Sequence, residues 1–428
     1  MVKYLTFLLS SILLYVYAPS SMDKEYMFIE VVLFVYSLQF NFFIKTRKNS
    51  RMGAFSHSHI FIVIFLIVFY QYYIDYILGF IDTSEKRTWI NTSIVAKSLG
   101  LCNIAISSFL LGYKYQLDKH IVRSNFYATP QITIFPEKKY LCNIGYCMLA
   151  YFIITADDGF FRSGYLTSEG QLDASFGIMV ILQSVMIAVF SLYCIEYKNN
   201  FKGDTIINYF KRPGILVGLY AIAIILSGRR TEALRVVIML LFAYIYVSGN
   251  KLNIKKTVAY LFAGIILTSV FGAIRGEGQS FSQGVEMLTS NITISPFTKE
   301  LAGSINTVHI AMDNVPDIIP YNYGVTFFPS FALLVPGLDR LITLMSNGIA
   351  LNSSTQISNM YWGGSDWGYG MGSSIVADVY ISFGVIGILI VFLLIGRLFR
   401  KLEEITTNSN NIYMFAMCIG VYSQILYA

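Results

Sequence analysis

Long apolar segments almost free of charged residues recur from one end of the chain to the other. About twenty such residues are needed to cross a bilayer as a helix, and lipid leaves backbone groups no partner outside the helix itself. We therefore predict an all-α, polytopic integral membrane protein with about eleven transmembrane helices. The predicted spans lie near residues 4–19, 26–44, 60–80, 91–113, 139–156, 175–196, 213–227, 232–248, 256–274, 374–396 and 411–427.

Composition supports this class, because apolar types make up 55% of the 428 residues and charged types only 13%. Soluble domains carry about 25% charged residues. The first run resembles a signal peptide, but ten more spans follow, so we interpret it as a retained helix. The fourth run contains Lys97. The seventh is short, and its helix is predicted to begin earlier, near Ile206.

The distribution of Lys and Arg predicts the orientation. Alternate loops collect about twenty basic residues on one side and about nine on the other. Cytoplasmic loops carry the excess of Lys and Arg. We therefore predict that the N-terminus lies in the cytoplasm and the C-terminus outside.

One external loop separates the predicted spans into two groups. Residues 1–274 contain spans one to nine, residues 275–373 form the loop, and residues 374–428 contain spans ten and eleven. About a hundred residues exceed what a connection requires, so the loop should be folded. Its segment from Tyr323 to Leu344 is apolar but interrupted by Pro329 and Pro336, which favours a re-entrant or interfacial segment over a full span.

Several functional classes lack support in the sequence. No basic recognition segment suggests nucleic acid. No Walker A, GxGxxG or HExxH motif is present, so nucleotide-driven transport and zinc proteolysis are disfavoured. The five cysteines have no zinc-site spacing and are interpreted as apolar packing residues. We expect neither a metal nor a cofactor.

Arginines at the predicted outer face form the first candidate site. Arg229 and Arg230 occupy a very short turn, and Arg235 lies one turn into the next span, where a guanidinium is costly. A helix N-terminus beside arginines suits a phosphate. Arg275, followed by Glu277, marks the exit of span nine at the same predicted depth. The alternatives are arginines that reach lipid headgroups or pair with Glu232 or Glu277.

Two further side chains have the chemistry of a proton acceptor. His309 is the one histidine in a predicted external loop, and a neutral imidazole accepts a proton near neutral pH. A loop histidine is also commonly a polar surface residue. Asp378 lies just inside span ten, where it should pair with an arginine or serve as a base.

An aromatic segment rich in glycine precedes span ten. Residues 361–372 include Trp362 and Trp367 between glycines. Flat rings with polar edges suit the faces of sugars, and glycines allow close approach. The same pattern is typical of an interfacial aromatic belt.

Three segments together resemble the Wzy-type O-antigen polymerases. They are Ser-Gly-Arg-Arg-Thr at 227–231, the arginine after span nine with the loop containing Tyr321-Asn322-Tyr323-Gly324, and the Gly-rich entry to span ten. That entry runs from Gly370 through Asp378 and Tyr380 to Gly384 and Gly387. The family commonly has Glu where Asp378 stands. The resemblance covers mainly residues 220–400.

The resemblance implies a GT-C-like, metal-independent glycosyltransferase. Its donor would be an oligosaccharide on undecaprenyl diphosphate, polymerised into O-antigen or capsular polysaccharide outside the inner membrane. Arg229, Arg230 and Arg275 would stabilise the diphosphate leaving group. His309 would be the base, with Glu277 or Asp378 as alternatives. Further predicted substrate contacts are Arg235, Arg340, Tyr323, Trp362, Trp367 and Tyr380.

Other readings remain open at the level of sequence. A flippase for the same lipid-linked oligosaccharide usually has charges spread through many spans. An O-antigen ligase uses the same donor, but the Gly370–Gly387 pattern favours a polymerase. A membrane acyltransferase would need a histidine in a membrane-embedded site.

Expected partners are the lipid bilayer, chain-length regulators and flippase proteins.

Overall fold

The computed structural model describes residues 2–38, 57–81, 89, 91–118, 137–155, 174–200, 206–226, 302–327, 353–364 and 370–408. These ranges contain helices and no strand. The α-helices are α1 Val2–Val16, α2 Lys24–Leu38, α3 His57–Ile77, α4 Val95–Asp118, α5 Glu137–Thr155, α6 Ala174–Asn200, α7 Ile206–Leu226, α8 Ile305–Asn314, α9 Ser353–Trp362 and α10 Ile375–Asn408. Short 3-10 turns lie at Ala302–Ser304 and Val325–Phe327.

Eight of the predicted spans coincide with helices, namely α1 to α7 and α10. The seventh begins at Ile206, as the sequence indicated. Within the described ranges, two segments are long and apolar enough to cross a membrane, Val95–Tyr115 and Ile375–Glu403. The spans at 232–248, 256–274 and 411–427 lie outside the described residues, so the count of eleven and the topology remain predictions.

Helices α4 and α10 cross with their backbones in contact. A Cβ atom on Gly112 would lie 2.0 Å from the carbonyl oxygen of Leu393, and one on Gly396 would lie 2.1 Å from that of Phe109. Membrane helices pack closely where small residues meet, because apolar side chains gain little by leaving lipid. The two glycines therefore set the closest approach of α4 and α10.

The other helices form two groups of contacts. Helix α1 packs along α4, and α2 contacts both α3 and α4. Helices α5, α6 and α7 contact one another. The core contains many aromatic side chains, with Phe61, Phe65, Phe109 and Phe392 all buried.

Helix α8 belongs to the segment predicted as an external loop, yet it lies inside the bundle. It contacts α3, α4, α9 and α10, and every residue from Ile305 to Met312 is buried. His309 was expected in a loop and is instead in the core. Hydropathy missed this helix because ten residues are too few to register as a span.

Helix α10 is broken at Gly384, whose backbone angles are φ 63° and ψ −155°. In a continuous helix, the carbonyls of Ile381 and Ser382 would accept the amides four residues later. Here they accept the amides of Asn322 and Tyr323, each at 3.1 Å. Segment 321–327 thus contacts α10 six to seven residues, or about 10 Å, from the start of that helix.

Candidate active site

Five of the predicted site residues lie in the described ranges. They are His309, Asp378, Tyr323, Trp362 and Tyr380. The other predicted residues, Arg229, Arg230, Arg235, Arg275, Glu277, Arg340 and Trp367, lie outside those ranges, and their roles remain predictions.

His309 is fully buried against α3. Its Nε2 atom lies 2.9 Å from the hydroxyl of Tyr73, which is also fully buried. That hydroxyl donates to the carbonyl oxygen of Val95 at 3.3 Å. The ring of Trp89 lies 6.0 Å from the imidazole, centroid to centroid. The imidazole is therefore held by a hydrogen bond at Nε2 and by the neighbouring ring of Trp89.

Asp378 lies in the first turn of α10 and is half-buried. Its amide donates to the carbonyl of Ser374 at 2.9 Å. Its Oδ1 accepts from the hydroxyl of Ser373, and Ser353 at the start of α9 is a second hydrogen-bond partner. Hydroxyl groups from the segment before α10 and from α9 thus orient a carboxylate that is partly exposed.

A hydroxyl pair joins the helix of His309 to the helix of Asp378. The side chains of Thr307 and Ser374 hydrogen-bond at 2.8 Å, and both residues are buried. Ser374 also accepts the amide of Ala377 at 3.3 Å, which caps the start of α10. This contact holds α8 against the start of α10. It therefore connects the two helices that carry His309 and Asp378, the candidate proton acceptors.

Tyr380 connects the helix start to segment 315–321. Its hydroxyl donates to the carbonyl of Val315 at 3.3 Å, and it also hydrogen-bonds to Tyr15 of α1. Its ring meets that of Tyr321 edge to face at 6.5 Å. The residue is buried, so its predicted contact with substrate is not evident among the described groups.

Tyr323 and Trp362 are exposed aromatic residues of this region. Tyr323 is 78% exposed and has a φ of 51°, a value that residues other than glycine adopt rarely. Trp362, at the end of α9, meets the ring of Tyr361 edge to face at 5.0 Å. Both rings are exposed, and their role in binding sugars remains a prediction.

Several buried polar groups were not predicted from the sequence. Glu30, in the middle of α2, is fully buried, and a single acid within an apolar run was the available signal. Tyr73 gave no such signal, because tyrosines are abundant throughout this chain. No group of three or more metal-ligating side chains occurs in the part of the chain that the structure describes.

Comparison with protein families settles the class. The model of the O-antigen polysaccharide polymerase Wzy family matches residues 1–428, which is the whole chain. The chain belongs to this family. The resemblance drawn from three segments is confirmed, and the family match extends beyond residues 220–400 to the N-terminal half. Comparisons with curated proteins and with solved structures gave no match.

Membership establishes a membrane protein of polysaccharide biosynthesis with polymerase-type glycosyltransferase activity. It accounts for the mostly apolar helices described above. It also disfavours the flippase, ligase and acyltransferase readings.

Proposed function

We propose that this protein joins undecaprenyl-diphosphate-linked oligosaccharide repeat units into O-antigen or capsular polysaccharide at the outer face of the inner membrane. The family match along the whole chain carries this proposal. The meeting of α8, α9 and the start of α10 supports it, because it gathers a histidine, a carboxylate and exposed aromatic rings in one region.

The donor is a glycan whose leaving group is the lipid diphosphate. As its glycosidic bond breaks, negative charge grows on the leaving oxygen, and fixed cations lower the energy of that state. Arg229, Arg230 and Arg275 are the proposed cations. Bidentate guanidinium groups match phosphate geometry, so this step requires neither a nucleotide sugar nor a metal.

The acceptor is a sugar hydroxyl of a second lipid-linked unit, and it must lose a proton. His309 is the first proposed base, because imidazole accepts a proton near neutral pH. It is fully buried, so the acceptor has to enter the bundle beside α8 to reach it. Asp378 is the more open alternative, and Glu277 is the third.

The aromatic residues have a binding role in this proposal. Asp378 lies beside Ser353 at one end of α9, and Trp362 lies at the other end, about 14 Å away along the helix. A sugar chain held against Trp362 and Tyr323 would extend toward the carboxylate. Ring faces stack on sugars with little loss of side-chain entropy.

Gene deletion with complementation tests this function. The deletion strain receives wild type, Arg275→Ala, His309→Gln or Asp378→Asn, and the surface glycan is resolved on a gel. We expect single repeat units in the deletion strain, a ladder with wild type and no ladder with Arg275→Ala. Loss of the ladder with only one of His309→Gln and Asp378→Asn identifies the base. Asp313→Asn is the control, since Asp313 accepts a hydrogen bond from Asn91 instead.

The rival functions give different gels. A flippase defect leaves no glycan on the surface and accumulates lipid-linked units inside. A ligase defect leaves polymer on its lipid carrier, unattached to the core. An immunoblot of the membrane fraction shows whether each variant is present at the level of wild type.

A further inference from the structure

Tyr73 contacts two groups through one hydroxyl. The oxygen lies 2.9 Å from Nε2 of His309 and 3.3 Å from the carbonyl oxygen of Val95. The rings of Tyr73 and His309 meet edge to face, with centroids 6.1 Å apart. Both side chains are fully buried, so water does not compete for these contacts.

The number of protons fixes the direction of the chain of hydrogen bonds. A phenol has one proton to donate, and a carbonyl oxygen has none. Both contacts are therefore hydrogen bonds only if the tyrosine proton points to Val95. The tyrosine oxygen must then accept a proton from Nε2 of His309. In that neutral tautomer, Nδ1 carries the lone pair.

We propose that Tyr73 is a positioning residue for His309, holding the imidazole in the tautomer that has its proton on Nε2 and its proton-accepting lone pair on Nδ1. This inference rests on the proposed function, which gives His309 a proton to accept. Bases in enzymes are commonly oriented by a third group bonded to their other nitrogen.

The proposed step is balanced through Nδ1. The proton of the acceptor hydroxyl moves to Nδ1, and the acceptor oxygen bonds to the anomeric carbon of the donor. The bond from that carbon to the diphosphate oxygen breaks, and its electron pair leaves with the diphosphate. The imidazolium then donates to Tyr73 through Nε2–H, a charge-assisted bond that is stronger than the neutral one.

Kinetics with a matched pair of variants tests the role. The substrate is the lipid-linked repeat unit isolated from the deletion strain, and the protein is the full chain in lipid nanodiscs. Tyr73→Phe should lower kcat about 10- to 100-fold with KM changed less than twofold, because orientation is lost while binding remains. Tyr70→Phe is the control, since Tyr70 is equally buried on the same helix but donates to Asn103.

Nitrogen NMR of histidine-labelled protein reads the tautomer directly. The His309 signals are assigned by their loss in His309→Gln. At a pH where the imidazole is neutral, we expect the proton on Nε2 in wild type and in Tyr70→Phe, and a mixture of tautomers in Tyr73→Phe. A proton on Nδ1 in wild type would overturn the inference even if Tyr73→Phe does not fold.

The outcomes separate the two proposals. If His309→Gln polymerises normally, the base assigned under the proposed function is wrong, whatever the tautomer. If His309→Gln is inactive while Tyr73→Phe matches Tyr70→Phe in kcat and in its nitrogen spectrum, the positioning role alone fails.

Discussion

The two ends of α10 hold their carboxylates in different ways. At the end we predict to be cytoplasmic, Glu403 accepts from the amide of Ser58 at 2.9 Å, from its hydroxyl, and from the hydroxyl of Tyr113 at 2.5 Å. The carboxylate is buried and caps the N-terminus of α3. At the other end, Asp378 is half-buried among serine hydroxyls, and the helix breaks six residues later.

This contrast separates stability from activity along one helix. The Glu403 end is fixed by groups that the protein itself supplies and by the backbone contact at Gly396. The Asp378 end combines a broken helix, the docked segment 321–327 and exposed rings. Strained or open structure of this kind is maintained only where the surroundings hold it, and it commonly marks function. Substitutions at the two ends should therefore fail in different assays.

The largest effect is expected for Gly396→Ala. The new methyl group would lie 2.1 Å from a backbone oxygen, and neither helix can move aside without separating the pair. We expect a loss of about 3 kcal/mol or more in stability, seen as little protein in the membrane fraction and a low Tm in detergent. Gly218→Ala is the control, because nothing lies within 4 Å of its Cβ position. Equal Tm values for the two variants would contradict the crossing.

Asp378→Asn should give the second-largest effect. It should lower activity without lowering stability. Removing the charge weakens the hydrogen bonds that the carboxylate offers to sugar hydroxyls, so the polymerisation rate should fall about 100-fold, or about 2.7 kcal/mol. Its Tm should stay near that of wild type. Rates of ladder formation at matched protein levels measure this. An unchanged rate would assign Asp378 to structure and weaken the contrast.

Gly384→Ala tests the break itself. A side chain at this φ and ψ costs about 2 kcal/mol, and the methyl group would lie 2.8 Å from the hydroxyl oxygen of Tyr321. We expect segment 321–327 to undock, so that chymotrypsin cleaves after Tyr323 sooner. The matched control is Gly363→Ala, which has a φ of 71° and nothing within 4 Å. Equal cleavage after Tyr323 in the two variants would show that the contact between residue 384 and Tyr321 does not cause the undocking.

The smallest effect is expected for Glu403→Gln. The amide nitrogen replaces one accepting oxygen, so one charge-assisted bond is lost, at about 1.5 kcal/mol. The Tm should fall while the polymerisation rate per folded molecule stays at the level of wild type. Glu25→Gln on exposed α2 surface is the comparison that should leave both unchanged. A fall in the rate without a fall in Tm would extend the active region to this end.

Hydropathy found the helices and their approximate ends because the apolar length of a segment is a local property. The sequence also predicted that α7 begins near Ile206, because a helix can begin several residues before its most apolar part. It did not find α8, which is short and only moderately apolar. The motif entering α10 identified the family and pointed to Asp378, whereas His309 was chosen by chemistry alone.

The sequence by itself determined the membrane class, the positions of helices α1 to α7 and α10, and the family. Only the tertiary structure placed His309 against Tyr73, 236 residues away, and Ser58 against Glu403, 345 residues away. It also decided that the carbonyls released at Gly384 accept the amides of Asn322 and Tyr323. The physical reason is that a span depends on summed local hydrophobicity, whereas a buried polar group is stable only with a partner whose position the whole bundle sets.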